Sequence, residues 1–321
     1  MSKVKKQHLV PKVYLRNFSI PVKKVWPIYV FDKPTQDVYT SNVNDVASSN
    51  YYYDIPDEYN EANLDPQLVE KTFSTMEGEY GNILKQLIQN VEACLLMSLN
   101  DSPLLLSDNL KLKLSFYIAL QALRTDEYRR MIEDVTSGML EKLANNYINN
   151  DSNKPSALEG VKIKADVFPN HTQMQHIAVL GDIKFQESLS SIFLSKIWII
   201  GYNDTSQPLY TSDHPLTLHA HKKDPFLGVG YDSPYTELAF PINSKIVLKM
   251  IDRKSFGKTM MRYENRLIKL NEENIKYYNS LQVRGASRQI YCEKDNFSLA
   301  VSFTNDYPET RNPSRKRLST E

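Results

Sequence analysis

Glycine is scarce in this 321-residue chain, with ten residues, about 3% against a usual ~7%. So little glycine excludes collagen-like and low-complexity chains and argues against folds built on glycine-rich phosphate loops. Cysteine is scarcer still. Cys94 and Cys292 give no disulfide framework, so a reducing, cytoplasmic compartment is the simplest expectation. No apolar run approaches the ~20 residues of a membrane span, and the opening MSKVKKQHLVPK lacks the apolar core of a signal peptide. Familiar catalytic signatures are missing too. Gly228 and Gly230 form GxG, but Ser233 stands where a dinucleotide fingerprint needs a third glycine. Gly257-Lys258-Thr259 resembles the end of a phosphate loop, yet Asp252 occupies the place of its first glycine. There is no CxxC, HExxH or GxSxG.

What is present is an ordinary globular composition, 41% hydrophobic and 24% charged, with twenty tyrosines. The net charge of +1 conceals an asymmetry: residues 1–24 carry +7, residues 25–244 carry −13 and residues 245–321 carry +7. Two basic ends that meet in space would make a face for phosphate-bearing partners, whereas ends that merely neutralise the acidic middle would not.

Apolar periodicity places most elements. Val25 to Phe31 and Val38-Tyr39 are strand-like. Asp65-Pro66 can start a helix whose apolar face runs from Leu68 through Phe73, Tyr80, Leu84 and Leu87 to Leu95. A second helix from Ser107 or Asp108 continues to about Tyr147, with the polar stretch Arg124-Thr125-Asp126-Glu127 as a kink. A helix over about 172–196 precedes the buried strand Ile197–Ile200. Leu209-Tyr210, Thr217–Ala220, Glu237–Ile242 and Lys245–Asp252 follow as strands, then a helix over Glu272–Gly285 capped by Asn271. Ile290–Cys292 and Ser298–Phe303 close the series as strands. This order predicts an α+β fold, a central helical hairpin on a mostly antiparallel sheet built from the N-terminal and C-terminal segments. Residues 1–307 form one domain in this reading, and 308–321 a disordered basic tail.

The densest polar cluster is Thr211-Ser212-Asp213-His214-Pro215, with His219 and His221 close behind. Two apart on a strand, His219 and His221 share a face. With Asp213 and His214 they make a donor set for zinc or another divalent ion. The alternative is a Ser/Asp turn stopped by proline, followed by a half-exposed strand. Ser212 and Pro215 flank Asp213 as a rigid turn, which predicts a carboxylate held by backbone or hydroxyl donors. In QHLVPKVYLRNF, Pro11, Tyr14, Leu15 and Phe18 can pack while His8 is presented at the edge. Arg124 follows the apolar run IALQAL and, if buried, needs an anionic partner. Asn279, Arg284 and Arg288 lie around a helix that Gly285 can end, and Arg288 is a candidate phosphate ligand.

These residues recur in a known pattern. His8, Pro11, Tyr14, Leu15 and Phe18 resemble the opening signature of a mostly bacterial domain-of-unknown-function family, DUF4238. In order along the chain follow Arg124 after a helical run, Ser212, Asp213 and Pro215 after the strand of Trp198, and a late Asn279 before Tyr291. His214 stands where the family commonly has Asn, and His219 and His221 have no counterpart. The resemblance implies candidate residues and no reaction.

Two functional readings follow. In the first, folding gathers His8, Arg124, Asp213 and His214 into a catalytic site, with Lys12, Arg284 and Arg288 on nucleic acid and Ser212 and Asn279 as positioning residues. That describes a nucleic-acid-directed hydrolase, a nuclease or nucleotidyl-modifying effector of bacterial defence. In the second, the same basic face belongs to a non-catalytic module that binds nucleic acid or protein. Convergence of the scattered polar residues in one cleft separates the two.

Overall fold

The computed structural model describes residues 3–97, 105–150, 160–222 and 228–317. The N-terminal part holds β1 (Lys6–His8), the single-turn α1 (Lys12–Leu15), β2 (Pro27–Asp32), β3 (Val38–Asn42) and β4 (Ser48–Asn50). The helical part follows as α2 (Leu68–Leu96), α3 (Asp108–Leu123), α4 (Asp126–Asn150), α5 (Pro169–Gly181) and α6 (Ile183–Ser195). Then come β5 (Ile197–Asn203), β6 (Thr211–Ser212), β7 (Thr217–Ala220), β8 (Thr236–Asn243), β9 (Ile246–Ile251) and α7 (Arg253–Met260). The chain closes with β10 (Leu267–Leu270), α8 (Glu272–Gly285), β11 (Gln289–Cys292) and α9 (Ser298–Asp306).

The fold is α+β, but its strands form separate sheets. One sheet joins both ends of the chain, in the order β3-β2-β11-β6, all antiparallel. The larger sheet, β10-β5-β9-β8-β7, comes from residues 197–270 and contains a parallel pair, β10 with β5. A two-stranded ladder pairs β1 with β4 and sets His8 opposite Ser48.

The helical core explains the layering. Tyr117 to Leu123 of α3 are all buried, and a helix that is apolar all round must lie inside. It sits among α2, α5 and α6. The N-terminal segment is wedged between this bundle and the larger sheet rather than lying on the sheet alone. Val13 faces Gly81 of α2, while the Tyr14 hydroxyl meets Thr211 Oγ1 and donates to the Pro241 carbonyl, each at 2.7 Å.

Several boundaries differ from the sequence reading for physical reasons. The helix predicted over 172–196 breaks at Asp182, whose side chain caps α6 by accepting from Phe185 N. The strand predicted over Ser298–Phe303 is α9, because Phe297, Ala300, Phe303 and Thr304 follow a helical period onto a small apolar cluster with Val283 and Ile290. The C-terminal segment from Pro308, predicted to be disordered, packs on the body through residue 317 because Glu127 holds Arg315 and Arg317. Residues 318–321 of that segment, and residues 98–104, lie outside the described residues.

Gly201 of β5 marks the tightest approach. A Cβ there would lie 2.9 Å from Leu270 Cδ1 and 3.0 Å from Val247 Cγ1. Gly201→Ala is therefore expected to destabilise the fold by about 1–3 kcal/mol through overpacking, measurable by urea denaturation.

Candidate functional site

The polar kink predicted at residues 124–127 is the junction between α3 and α4, and each of its four residues has its own set of partners. Arg124 is 3% exposed. Its Nη2 donates to the His8 carbonyl, its ring-facing side lies 4.3 Å from the Phe73 centroid, and Glu77 stands 3.7 Å away. Thr125 Oγ1 meets His214 Nδ1 at 2.8 Å. Asp126 accepts from Arg130 at 2.6 Å and from the Ser287 hydroxyl at 3.0 Å. Glu127 accepts from Arg315 at 2.8 Å and from Arg317 at 2.9 Å. The junction itself is fixed from behind: Tyr53 donates to the Arg124 carbonyl, and His176 Nε2 bonds the Leu123 carbonyl at 2.7 Å.

The residues expected to form one site divide into two networks. His8 and Arg124 head the first. His8 is not presented at an edge. It is 6% exposed, and its Nε2 has no hydrogen-bond partner among the described residues. Burial pulls its pKa down to about 4; Lys12, Arg124 and Lys6 push the same way, while the Asn44 backbone opposes them. The imidazole is therefore neutral, in a positive local field.

Three more buried polar atoms near Arg124 lack partners among the described residues: Arg124 Nε, Gln121 Oε1 and the Tyr80 hydroxyl. Buried polar groups are nearly always bonded, so these exceptions are places where a water, an ion or a ligand group can be taken up. Burial raises the pKa of Glu70, and Arg124 lowers it. Phe73, Glu77, Tyr80, Tyr117, Leu120 and Arg124 line a narrow pocket beside this cluster, with room for about one water molecule.

Asp213 heads the second network. It is buried, and both oxygens are taken by the backbone: Oδ1 accepts from Ser287 N at 2.8 Å, and Oδ2 from Arg288 N at 2.7 Å and Gln289 N at 2.8 Å. Burial pushes its pKa up to about 6, against the pull of those donors and of Lys33. Lys33 is fully buried, donates to the Ala286 carbonyl at 2.7 Å, and is drawn down to about 8 by burial. Ser212 and Asn279 are stitches between the 208–215 loop and α8. Ser212 Oγ donates to Gln282 at 2.8 Å, and Asn279 bridges the Pro208 carbonyl and Tyr210 N. This is the geometry of a turn anchor, with the carboxylate turned to backbone rather than to an open cleft.

The expected nucleic-acid ligands are spread out. Lys12 belongs to the His8 network. Arg288 is spoken for by Asp32, Nε to Oδ2 at 2.7 Å. Arg284 lies over Phe303 and Tyr307. The expected metal set does not assemble either. Among the described residues no three His, Cys, Asp or Glu side chains are grouped to hold an ion. His219 and His221 pack edge to face, and His221 Nε2 meets Glu237 at 2.8 Å.

Glu70, Glu77 and Lys33 escaped the sequence reading, and Tyr80 and Glu127 were read only as part of a helix face and a kink. Glu70, Glu77 and Tyr80 carried a signal, since their steps of seven and three put them on one face of α2. Lys33, in a Phe-Asp-Lys-Pro turn, carried none.

A family model described as protein of unknown function, DUF4238, matches residues 6–296 of the chain. No curated protein and no solved structure matches it.

Proposed function

The chain belongs to the DUF4238 family of unknown function, and from that premise we propose that it is an enzyme acting on a phosphate-bearing substrate, nucleic acid first among them, at the His8–Arg124 network. The observation that carries this reading is the neutral, buried His8 with an unpartnered Nε2 beside Lys12 and Arg124. A positive field around a neutral imidazole favours an anion at that position, and a phosphate, larger than the one-water pocket beside it, enters only as the pocket's lining moves. The anion would also change the base. Lys12 and Arg124 help to hold His8 low, and a bound phosphate offsets both, so the imidazole becomes a stronger base when substrate is present. Glu77 and Tyr80 then orient Arg124 and the substrate, and Arg124 Nε supplies a charge-assisted donor. In this reading a nuclease or nucleotidyl-modifying effector of bacterial defence is the biological setting.

The test is turnover of single-stranded and duplex DNA, RNA and nucleoside triphosphates, with binding followed across a salt series. His8→Asn is expected to lower turnover by about 10²–10⁴-fold, and Arg124→Lys to raise KM more than it lowers kcat. Binding should weaken with salt, since each neutralised phosphate releases a counterion. No turnover and no binding with any of these at low salt would overturn the proposal. Binding without turnover, unaffected by His8→Asn, would favour the second reading, a non-catalytic binding module.

A further inference from the structure

We propose that Glu127, together with the Ala286 carbonyl, is a guanidinium-binding site that the chain fills with its own C-terminal segment, and that an arginine-bearing peptide competes with that segment for it. The family match ends at residue 296, and the segment in question lies beyond it. There Arg315 Nη2 donates to Glu127 Oε1 and, at 3.1 Å, to the Ala286 carbonyl. Arg317 Nη2 donates to Glu127 Oε2. One carboxylate at the N-terminal turn of α4 thus receives two guanidiniums, one on each oxygen. The group is well enclosed, with side-chain exposures of 13% for Glu127, 17% for Arg315 and 8% for Arg317. Enclosure of this kind makes charge-assisted hydrogen bonds selective for a planar donor.

The segment also makes bonds within itself and to α4. Arg317 donates to the Pro313 and Arg315 carbonyls, and its own amide donates to Asp134 Oδ2 at 2.6 Å. It behaves as a preformed ligand rather than as part of a sheet or core layer. The fit is incomplete in a way that favours exchange. Arg315 Nη1 and Arg317 Nε are buried without a partner among the described residues. Two cations share one carboxylate beside the buried Lys33, and both work against its charge. Like charges gathered at a low-dielectric site weaken the hold of any one of them. Lys33, Asp213 and His214 lie within electrostatic reach of Arg315.

The probe is a fluorescein-labelled peptide of residues 309–317 followed by anisotropy. A filled site lowers apparent affinity by the fraction of molecules in which it is open. The full-length Arg315→Ala/Arg317→Ala chain is therefore expected to bind the peptide about ten-fold or more tighter than wild type, and adding Glu127→Gln should remove that binding. Equal binding by wild type and the double variant, or binding indifferent to Glu127→Gln, would overturn the proposal. A second measurement needs no substitution in the protein. Excess unlabelled peptide should speed amide exchange over residues 312–317 of the wild-type chain, read in a peptic fragment that begins before residue 309. A peptide with alanine at positions 315 and 317 should not. Exchange unchanged by the arginine peptide, or quickened equally by both, would also overturn it.

Discussion

Asp213→Ala is expected to cost on the order of 3–5 kcal/mol of stability, enough to lower the melting temperature steeply. The cause is local. The carboxylate is the acceptor for three consecutive backbone amides, Ser287 to Gln289, at the junction of α8 and β11. It is also an opposite charge for the fully buried Lys33. Deleting it orphans the three amides together and leaves a buried cation short of a partner, the situation in which removing one member of a polar set is most damaging. Asp213→Asn keeps one acceptor oxygen but turns an amide donor toward another donor, so it should fall between alanine and wild type. Urea denaturation of the three proteins checks the order. If Asp213→Ala abolished turnover with stability unchanged, the anchor assignment would fail and the carboxylate would belong to the chemistry.

Acidification from pH 7 to pH 5 is expected to destabilise the fold by a few kcal/mol. His8 is held at about 4 and His176 at about 3, against an ordinary 6.5. For both, burial is the first cause; His176 also bonds the Leu123 carbonyl and accepts from Arg129. Folded-state pKa values below the unfolded ones mean that the unfolded chain binds more protons as pH falls beneath 6.5. The stability is present above that point and is lost progressively toward about 4 and 3. By pH 5 each histidine has cost about 2 kcal/mol. Buried His214, also shifted down, adds in the same sense. Asp213 acts oppositely. Its folded pKa, about 6, lies above the usual 3.8, so its contribution grows as pH falls through 6 and offsets about 1 kcal/mol by pH 5. The partly exposed His221, raised by Glu237, adds a smaller term of that sign. The net is a loss. Denaturation midpoints from pH 7 to 5 should fall for wild type and fall less steeply for His176→Gln. Midpoints independent of pH would contradict burial of the neutral imidazoles.

The helical part was legible because its signals are local. The apolar period of α2, the Ser107 cap of α3, the kink at residues 124–127 and the Asn271 capping box of α8 each depend on residues a few places apart. The strands β5, β7, β8 and β9 showed for the same reason. That the two ends of the chain share an antiparallel sheet was legible too, but the strand order and register were not, since β2 pairs with β11 across 257 to 263 positions and parallel β10 is a short run with no turn signal. The strand predicted at 298–303 failed because SLAVSF suits either period, and packing against α8 selected the helix.

The candidate site divides along the same line. The sequence by itself singled out His8, Arg124, Asp213 and their motifs as candidates. It also determined that Asp213 sits in a turn, because Ser212 and Pro215 adjoin it. Only the tertiary structure decided company. It set Arg124 against His8, turned both oxygens of Asp213 to the backbone, brought Lys33 beneath them, and drew Arg315 and Arg317 onto Glu127. Part of the charge at the basic ends is paired within the molecule, Arg288 with Asp32 and both Arg315 and Arg317 with Glu127. The physical reason is that burial and pairing are properties of distance in space. A charge read along the chain has a sign and a size, but whether it meets solvent, a ligand or its opposite depends on chain crossings hundreds of residues apart.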